Sequence, residues 1–228
     1  MFNGYVSSVR FEGELKEDFY LKNIPAVRYL MEKGQLDFSE NVTIFVGENG
    51  TGKSTLLEAI AVAFGFNAEG GTVNFNFFTN NTHSSLYRNL RIGKKSYPKD
   101  GFFLRAESIY NVASNLENLY RNEFAHGAET PYGTVSLRKG LYILDEPEAA
   151  LSPMRMLELM AVMNDLVKNE SQFIISTHSP ILMAYPGADV FELSEKGIEK
   201  VRYDETEHFT LTKQFLENPE RMFKYLFE

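Results

Sequence analysis

The sequence predicts an α/β fold built on a largely parallel sheet with helices crossing between its strands. Three observations carry this reading. Short runs rich in Val, Ile and Phe alternate with longer segments of helical spacing, as crossover connections in a parallel sheet require. The polar motifs fall directly after apolar runs, where open α/β sheets place their ligands. A length of 228 residues suits one domain around a single buried core, so residues 1–228 are expected to form one unit.

Tyr5 to Phe11 and Asn41 to Val46 read as strands, the second ending on Gly47. A helix is predicted from Lys53, with Leu56, Leu57, Ile60 and Ala61 on one side and Phe64 continuing the stripe. Gly70 to Asp100 is rich in Asn, Thr, Gly and Ser without a sustained period, and is expected to leave the core. Phe102 to Leu104 predicts another strand and Ala113 to Phe124 a polar helix anchored by Leu116 and Leu119, while Ala125 to Gly140 reads as irregular. Leu141 to Leu144 is an apolar strand ending at Asp145, and Met154 to Lys168 carries Leu157, Met160, Ala161, Met163 and Leu166 at helical spacing. Phe173 to Ile175 ends in Ser176, Thr177 and His178.

The chain has no cysteine, which removes disulfide frameworks and thiolate metal sites and fits a reducing compartment. No basic stretch leads into an apolar run at the N-terminus, and no eighteen apolar residues follow one another. A soluble, cytoplasmic protein without membrane insertion is expected. The formal charge of −8 argues against a surface that is a nucleic-acid footprint throughout. Arg88, Arg91, Lys94, Lys95, Lys99 and Arg105 form the one basic stretch, and a solvated loop is expected there.

Gly47-Glu-Asn-Gly-Thr-Gly-Lys-Ser54 matches G-x-x-x-x-G-K-[ST] in full, with a strand before it and a helix after it. Such a loop turns its N–H groups inward on phosphates at the positive end of the following helix. Gly47, Asn49, Gly50, Thr51, Gly52, Lys53, Ser54 and Thr55 are therefore the expected ATP-binding residues. Lys53 is expected to reach the β- and γ-phosphates, Ser54 to ligate Mg²⁺ and Thr55 to contact the α-phosphate. Asp145, delivered to the sheet edge by its strand, is the second expected metal residue. Glu146, one step further, is the candidate general base, and His178 the candidate that aligns the attacking water. His208, in an acidic stretch, reads as a surface residue. Tyr5, Phe11 and Tyr20 could stack on adenine, although aromatics beside a first strand usually pack in the core.

These residues resemble the ABC ATPase superfamily: GENGTGKST as Walker A, LYILDEP as Walker B, EAALSP as D-loop and STHSP as H-switch. GENG and THSP look more like SMC, RecF and OLD-type ATPases and small stand-alone relatives than like transporter subunits. The resemblance implies an ABC-like, P-loop NTPase sheet. It further implies an ATP-dependent homodimer in which Ala150, Leu151 and Ser152 cross the interface.

Two elements depart from the pattern. No glutamine stands in the expected Q-loop, where Glu107 is the closest candidate. The signature loop is not legible either. Ala125 to Thr130 is a degenerate match, Pro131 and Gly133 would break the helix expected to follow it, and the interval from Leu137 to the Walker B strand has no room for that helix. Either the signature region around residues 109–140 is reduced, or a stretch after Leu137 is missing from this sequence.

The expected function is Mg-dependent ATP binding and hydrolysis by a dimerising switch that drives an effector protein or acts on DNA, in DNA repair or phage defence. No coiled-coil arms or appended nuclease are read in the chain, so an effector would be separate. The competing expectations are a nucleotide-binding subunit of a membrane transporter and a non-hydrolysing ATP sensor.

Overall fold

The computed structural model describes residues 4–15, 19–72, 84–98, 100–105, 128–130, 133–135 and 139–227. In chain order the elements are β1 (Val6–Phe11), α1 (Phe19–Lys22), α2 (Pro25–Lys33), β2 (Gln35–Asp37), β3 (Val42–Gly47), α3 (Lys53–Phe64), β4 (Gly71–Thr72), β5 (Leu90–Lys94) and β6 (Asp100–Leu104). They continue with β7 (Ala128–Thr130), β8 (Gly133–Val135), β9 (Gly140–Asp145), α4 (Pro153–Lys168), β10 (Gln172–Ser176), α5 (Pro180–Met183), β11 (Asp189–Ser194), β12 (Gly197–Val201), α6 (Glu207–Glu217) and α7 (Pro219–Phe227).

Among the described residues the main sheet has seven strands in the order β12-β11-β3-β10-β9-β6-β4. Strands β11, β3, β10, β9 and β6 are mutually parallel, and β12 and β4 close the two edges antiparallel. The expected α/β class with a mixed, mainly parallel sheet and flanking helices is therefore what the chain adopts.

Period-two alternation explains how this sheet holds two cores. Phe45, Leu141, Ile143 and Ile174 face α2, α3 and the N-terminal strands, joining Leu56, Leu57 and Ile60. Val42, Ile44, Val46, Tyr142, Leu144, Phe173 and Ile175 face the other way, onto Met156, Leu159, Val162, Met163 and Leu166 of α4. A strand buried on both faces reads as a continuous apolar run, which is why β3, β9 and β10 were visible in the sequence.

The first strand does not join that sheet. β1 pairs antiparallel with β2 and β5 in a separate three-stranded sheet, so part of the segment expected to leave the core returns to pack on it. Tyr5 is buried within this layer and Tyr20 lies exposed. Ala125 to Gly140 is likewise not wholly irregular, because β7 and β8 form a two-stranded hairpin. Glu107, Ala113 to Phe124, Leu137 and Lys99 lie outside the described residues.

Within the basic stretch, the described cations are engaged inside the molecule. Arg91 pairs with Glu12 at 3.3 Å and Arg105 with Glu58 at 3.3 Å. Lys94 donates to the Phe64 carbonyl at 3.1 Å and sits over the Phe64 and Tyr97 rings. No helix among the described residues is long and apolar enough to cross a membrane.

One buried side chain joins the two sheets. Gln172, at the start of β10, is fully buried; its Oε1 accepts from the Val6 amide at 2.8 Å and its Nε2 donates to the Val6 carbonyl at 2.8 Å. The contact falls where the β1–β5 register shifts. Gln172→Leu would leave both backbone groups of Val6 without these partners in a dry layer. The expected cost is about 2–6 kcal/mol, from ~1–3 kcal/mol for each of the two buried groups left unsatisfied, read as a lowered urea midpoint with an unchanged slope.

Candidate functional site

Strands β3, β10 and β9 are neighbours, and their C-terminal ends bring Gly47, Ser176 and Asp145 to one edge of the sheet. The loop after β3 turns through Gly47, Gly50 and Gly52, all with positive φ. Its position is fixed from outside by α2, whose Ala26 amide donates to the Thr51 carbonyl at 3.1 Å. There is no room for a side chain at Gly52, where a Cβ would stand 2.3 Å from Cγ2 of Ile24. Thr51 closes the turn from within, its hydroxyl donating to the Glu48 carbonyl at 2.8 Å.

Lys53, the first residue of α3, folds its ammonium back under the loop, donating to the carbonyls of Gly47 at 2.7 Å and Glu48 at 3.0 Å. Burial lowers its pKa from 10.5, opposed by the carboxylates of Glu146, Asp145, Glu48 and Glu148. Ser54 follows, its hydroxyl donating to Oδ1 of Asp145 at 3.0 Å. The Ser176 hydroxyl donates to the same oxygen. Burial raises the Asp145 pKa above 3.8 even though both hydroxyl bonds pull it down. A buried carboxylate in that condition gains from a nearby cation. One carboxylate and one hydroxyl match Mg²⁺, which keeps water and phosphate oxygens in its shell rather than requiring a full protein cage. Among the described residues no group of three His, Asp or Glu side chains could hold a metal on its own.

Glu146 leaves the strand in the left-handed region, φ 47° and ψ 54°, and its amide donates to the Ser176 carbonyl at 3.0 Å. Such a backbone costs on the order of 1–3 kcal/mol for a non-glycine residue and persists where its surroundings enforce it. The turn carries its carboxylate to 3.5 Å from Nε2 of His178. Burial first, then the Lys53 ammonium, lowers the His178 pKa below 6.5 despite Glu146, which favours the neutral ring.

The edge thus gathers Lys53, Ser54, Asp145, Glu146 and His178. Gly47, Asn49 and Thr51 also line a cleft of about 710 Å³ between the loop, β11 and α6.

Two residues at this edge escaped the sequence reading. Glu148 accepts the His178 amide at 2.5 Å through Oε1. His208, expected on the surface, has only 18% of its side chain exposed. Its Nε2 stands 3.0 Å from Nδ1 of His178. Thr206 gave the one available signal, as an N-cap accepting from the Phe209 amide at 3.4 Å; a cap places a helix start but not what it faces. α6 and α7 bury no residue, and Leu211, Leu216, Tyr225 and Phe227 are exposed.

Comparison with known proteins gives two family matches. An AAA-domain model matches residues 20–125, and a second AAA-domain model, whose description names an AbiEii toxin and a Type IV TA system, matches residues 130–184. No curated protein matches the chain. Among solved structures, cbiO1 from Clostridium perfringens, part of the ABC transporter complex cbiONQ, is 19% identical with a TM-score of 0.46, covering 99% of this chain and 100% of its own. The SMC head domain from Thermotoga maritima is 14% identical with a TM-score of 0.44, covering 86% of this chain and 99% of its own. The ADP conformation of an ATP-binding cassette of an ABC transporter is 16% identical with a TM-score of 0.38, covering 85% and 91%. The two AAA-domain matches span the phosphate loop, the Asp145-Glu146 strand end and His178 between them, so each part of the site lies in a segment similar to AAA domains.

Proposed function

We propose that this protein binds ATP with Mg²⁺ at the loop from Gly47 to Thr55 and hydrolyses it, using the cycle to close and open a homodimer that acts on a partner. The observation that carries the reading is the meeting of Lys53, Asp145, Glu146 and His178 at the ends of three adjacent strands.

The loop amides and the start of α3 would take the phosphates, and Lys53 would exchange its carbonyl partners for β- and γ-phosphate oxygens. Ser54 and Asp145 would hold Mg²⁺, which would offset the negative charge of the phosphates. Glu146 would accept a proton from water as the water oxygen bonds to the γ-phosphorus and the bond to the β–γ bridging oxygen breaks. The electron pair of that bond leaves on ADP, and the proton passes on to the inorganic phosphate. His178 would hold the γ-phosphate in line.

Residues 1–228 would act as one domain, with Ala150, Leu151 and Ser152 crossing the dimer interface. An effector protein or DNA is the proposed partner, in DNA repair or defence. The toxin wording of one matched family is in keeping with defence.

The test is light scattering of the protein with no nucleotide, with Mg·ATP and with Mg·ADP, alongside phosphate release. The expected result is a doubled mass with Mg·ATP alone and measurable release. Binding of ATP without release would replace hydrolysis by sensing, and failure to bind would overturn the reading.

A further inference from the structure

His178 reaches Glu146 with one ring nitrogen and His208 with the other. Nε2 lies 3.5 Å from Oε1 of Glu146, while Nδ1 lies 3.0 Å from Nε2 of His208. A neutral imidazole carries one N–H, so only one of two arrangements serves both contacts. If His178 donated from Nδ1, its Nε2 lone pair would face a carboxylate oxygen, and His208 would carry its own N–H on Nδ1. That nitrogen is buried and meets no acceptor. If His208 donates from Nε2, His178 accepts at Nδ1 and carries its proton on Nε2, toward Glu146. The buried Nδ1 of His208 is then a bare lone pair, the cheaper group to leave unpaired.

We propose that His208 is a positioning residue: its Nε2–H donates to Nδ1 of His178 and so fixes the tautomer that presents an N–H to Glu146 and to the phosphate end of the loop. The proposal rests on the hydrolytic reading above.

His208 is held firmly enough to do this. It is the second residue of α6, whose cap Thr206 is fully buried and bonds the Tyr203 carbonyl at 2.7 Å. The Glu207 amide donates to Glu192 of β11 at 3.2 Å, which places a carboxylate at the positive end of the helix. Glu48 of the phosphate loop adds a carboxylate 3.8 Å from Nε2 of His208. The groups facing the histidine pair are thus Glu48, Glu146, Glu148 and the more distant Lys53.

The test compares His208→Ala and His208→Gln with the unaltered full chain, each also in a His178→Ala background. A glutamine amide can supply an N–H near the position of Nε2. His208→Ala is expected to lower kcat for ATP about ten- to a hundredfold, the cost of removing the partner that orients a metal-bound histidine taken over to this pair, with KM changed less than about twofold. His208→Gln should recover most of the loss, and in the His178→Ala background neither change should matter further. Independently of turnover, ¹⁵N resonances of the His178 ring in the unaltered protein should show protonated Nε2 and bare Nδ1. An Nδ1–H tautomer, an unchanged kcat in His208→Ala, or additive losses would overturn the proposal. If the unaltered protein showed the expected tautomer but no hydrolysis, the hydrolytic reading would fail and the positioning role would stand as a structural one.

Discussion

Glu146→Gln is expected to reduce ATP turnover by about 10²- to 10⁴-fold, the range that a positioned general base contributes, while Mg·ATP binding survives. The substitution keeps the size of the side chain and its contact distance to Nε2 of His178, but a neutral amide cannot accept the proton of the attacking water. Binding groups are left in place: the glycine loop, Lys53, and Ser54 with Asp145. Some secondary effect on Lys53 follows, because Glu146 is the foremost charge opposing the burial that lowers its pKa. Weakening that support should loosen the ammonium slightly rather than abolish binding. The consequence for assembly is the more telling readout. A protein that binds ATP but does not cleave it should accumulate as the closed dimer, so light scattering should report the dimer persisting long after the unaltered protein has reverted. The same form should retain a partner in a pull-down that the nucleotide-free protein loses. Unchanged turnover, affinity and mass together would remove Glu146 from the chemistry and the dimer switch with it.

The parts of the fold that were legible share one physical cause. β3, β9 and β10 are buried on both faces, so their apolar runs are uninterrupted and their ends fall where polar motifs begin. The loop at Gly47 to Ser54 is legible because its backbone shape demands particular residues at fixed spacing. What escaped depends on contacts distant in sequence. The N-terminal strand has the composition of any strand, and only its partners, Gln35 to Asp37 and Leu90 to Lys94, put it in a separate antiparallel sheet. β5 is short and half exposed, without the alternation that marks a core strand. His208 lies thirty residues from His178, and no local pattern records that α6 begins against the end of β10. Glu148 escaped for another reason: three acids within Asp145 to Glu148 look alike in a sequence, and only the turn at Glu146 separates their directions.

Gly47→Ala is expected to destabilise the protein severely, by several kcal/mol, whereas Gly50→Ala in the same loop should cost about 1–2 kcal/mol. Both residues have positive φ, 133° and 86°, so both substitutions carry conformational strain. They differ in what a methyl group would meet. At Gly50 nothing lies within 4 Å, but at Gly47 a Cβ would stand 2.1 Å from the carbonyl oxygen of Leu193. Leu193 is the register partner of Gly47 on the neighbouring parallel strand β11, so the obstacle is sheet backbone that cannot rotate aside. Relief requires β3 and β11 to separate where the loop begins, which would also move the Gly47 carbonyl from Lys53 Nζ, 2.7 Å away. Urea melts of the nucleotide-free protein separate the two outcomes. Gly47→Ala should lower the midpoint far more than Gly50→Ala, or leave no cooperative transition. Equal midpoints would mean that strain alone, rather than the closeness of the two strands, demands glycine at the start of the loop.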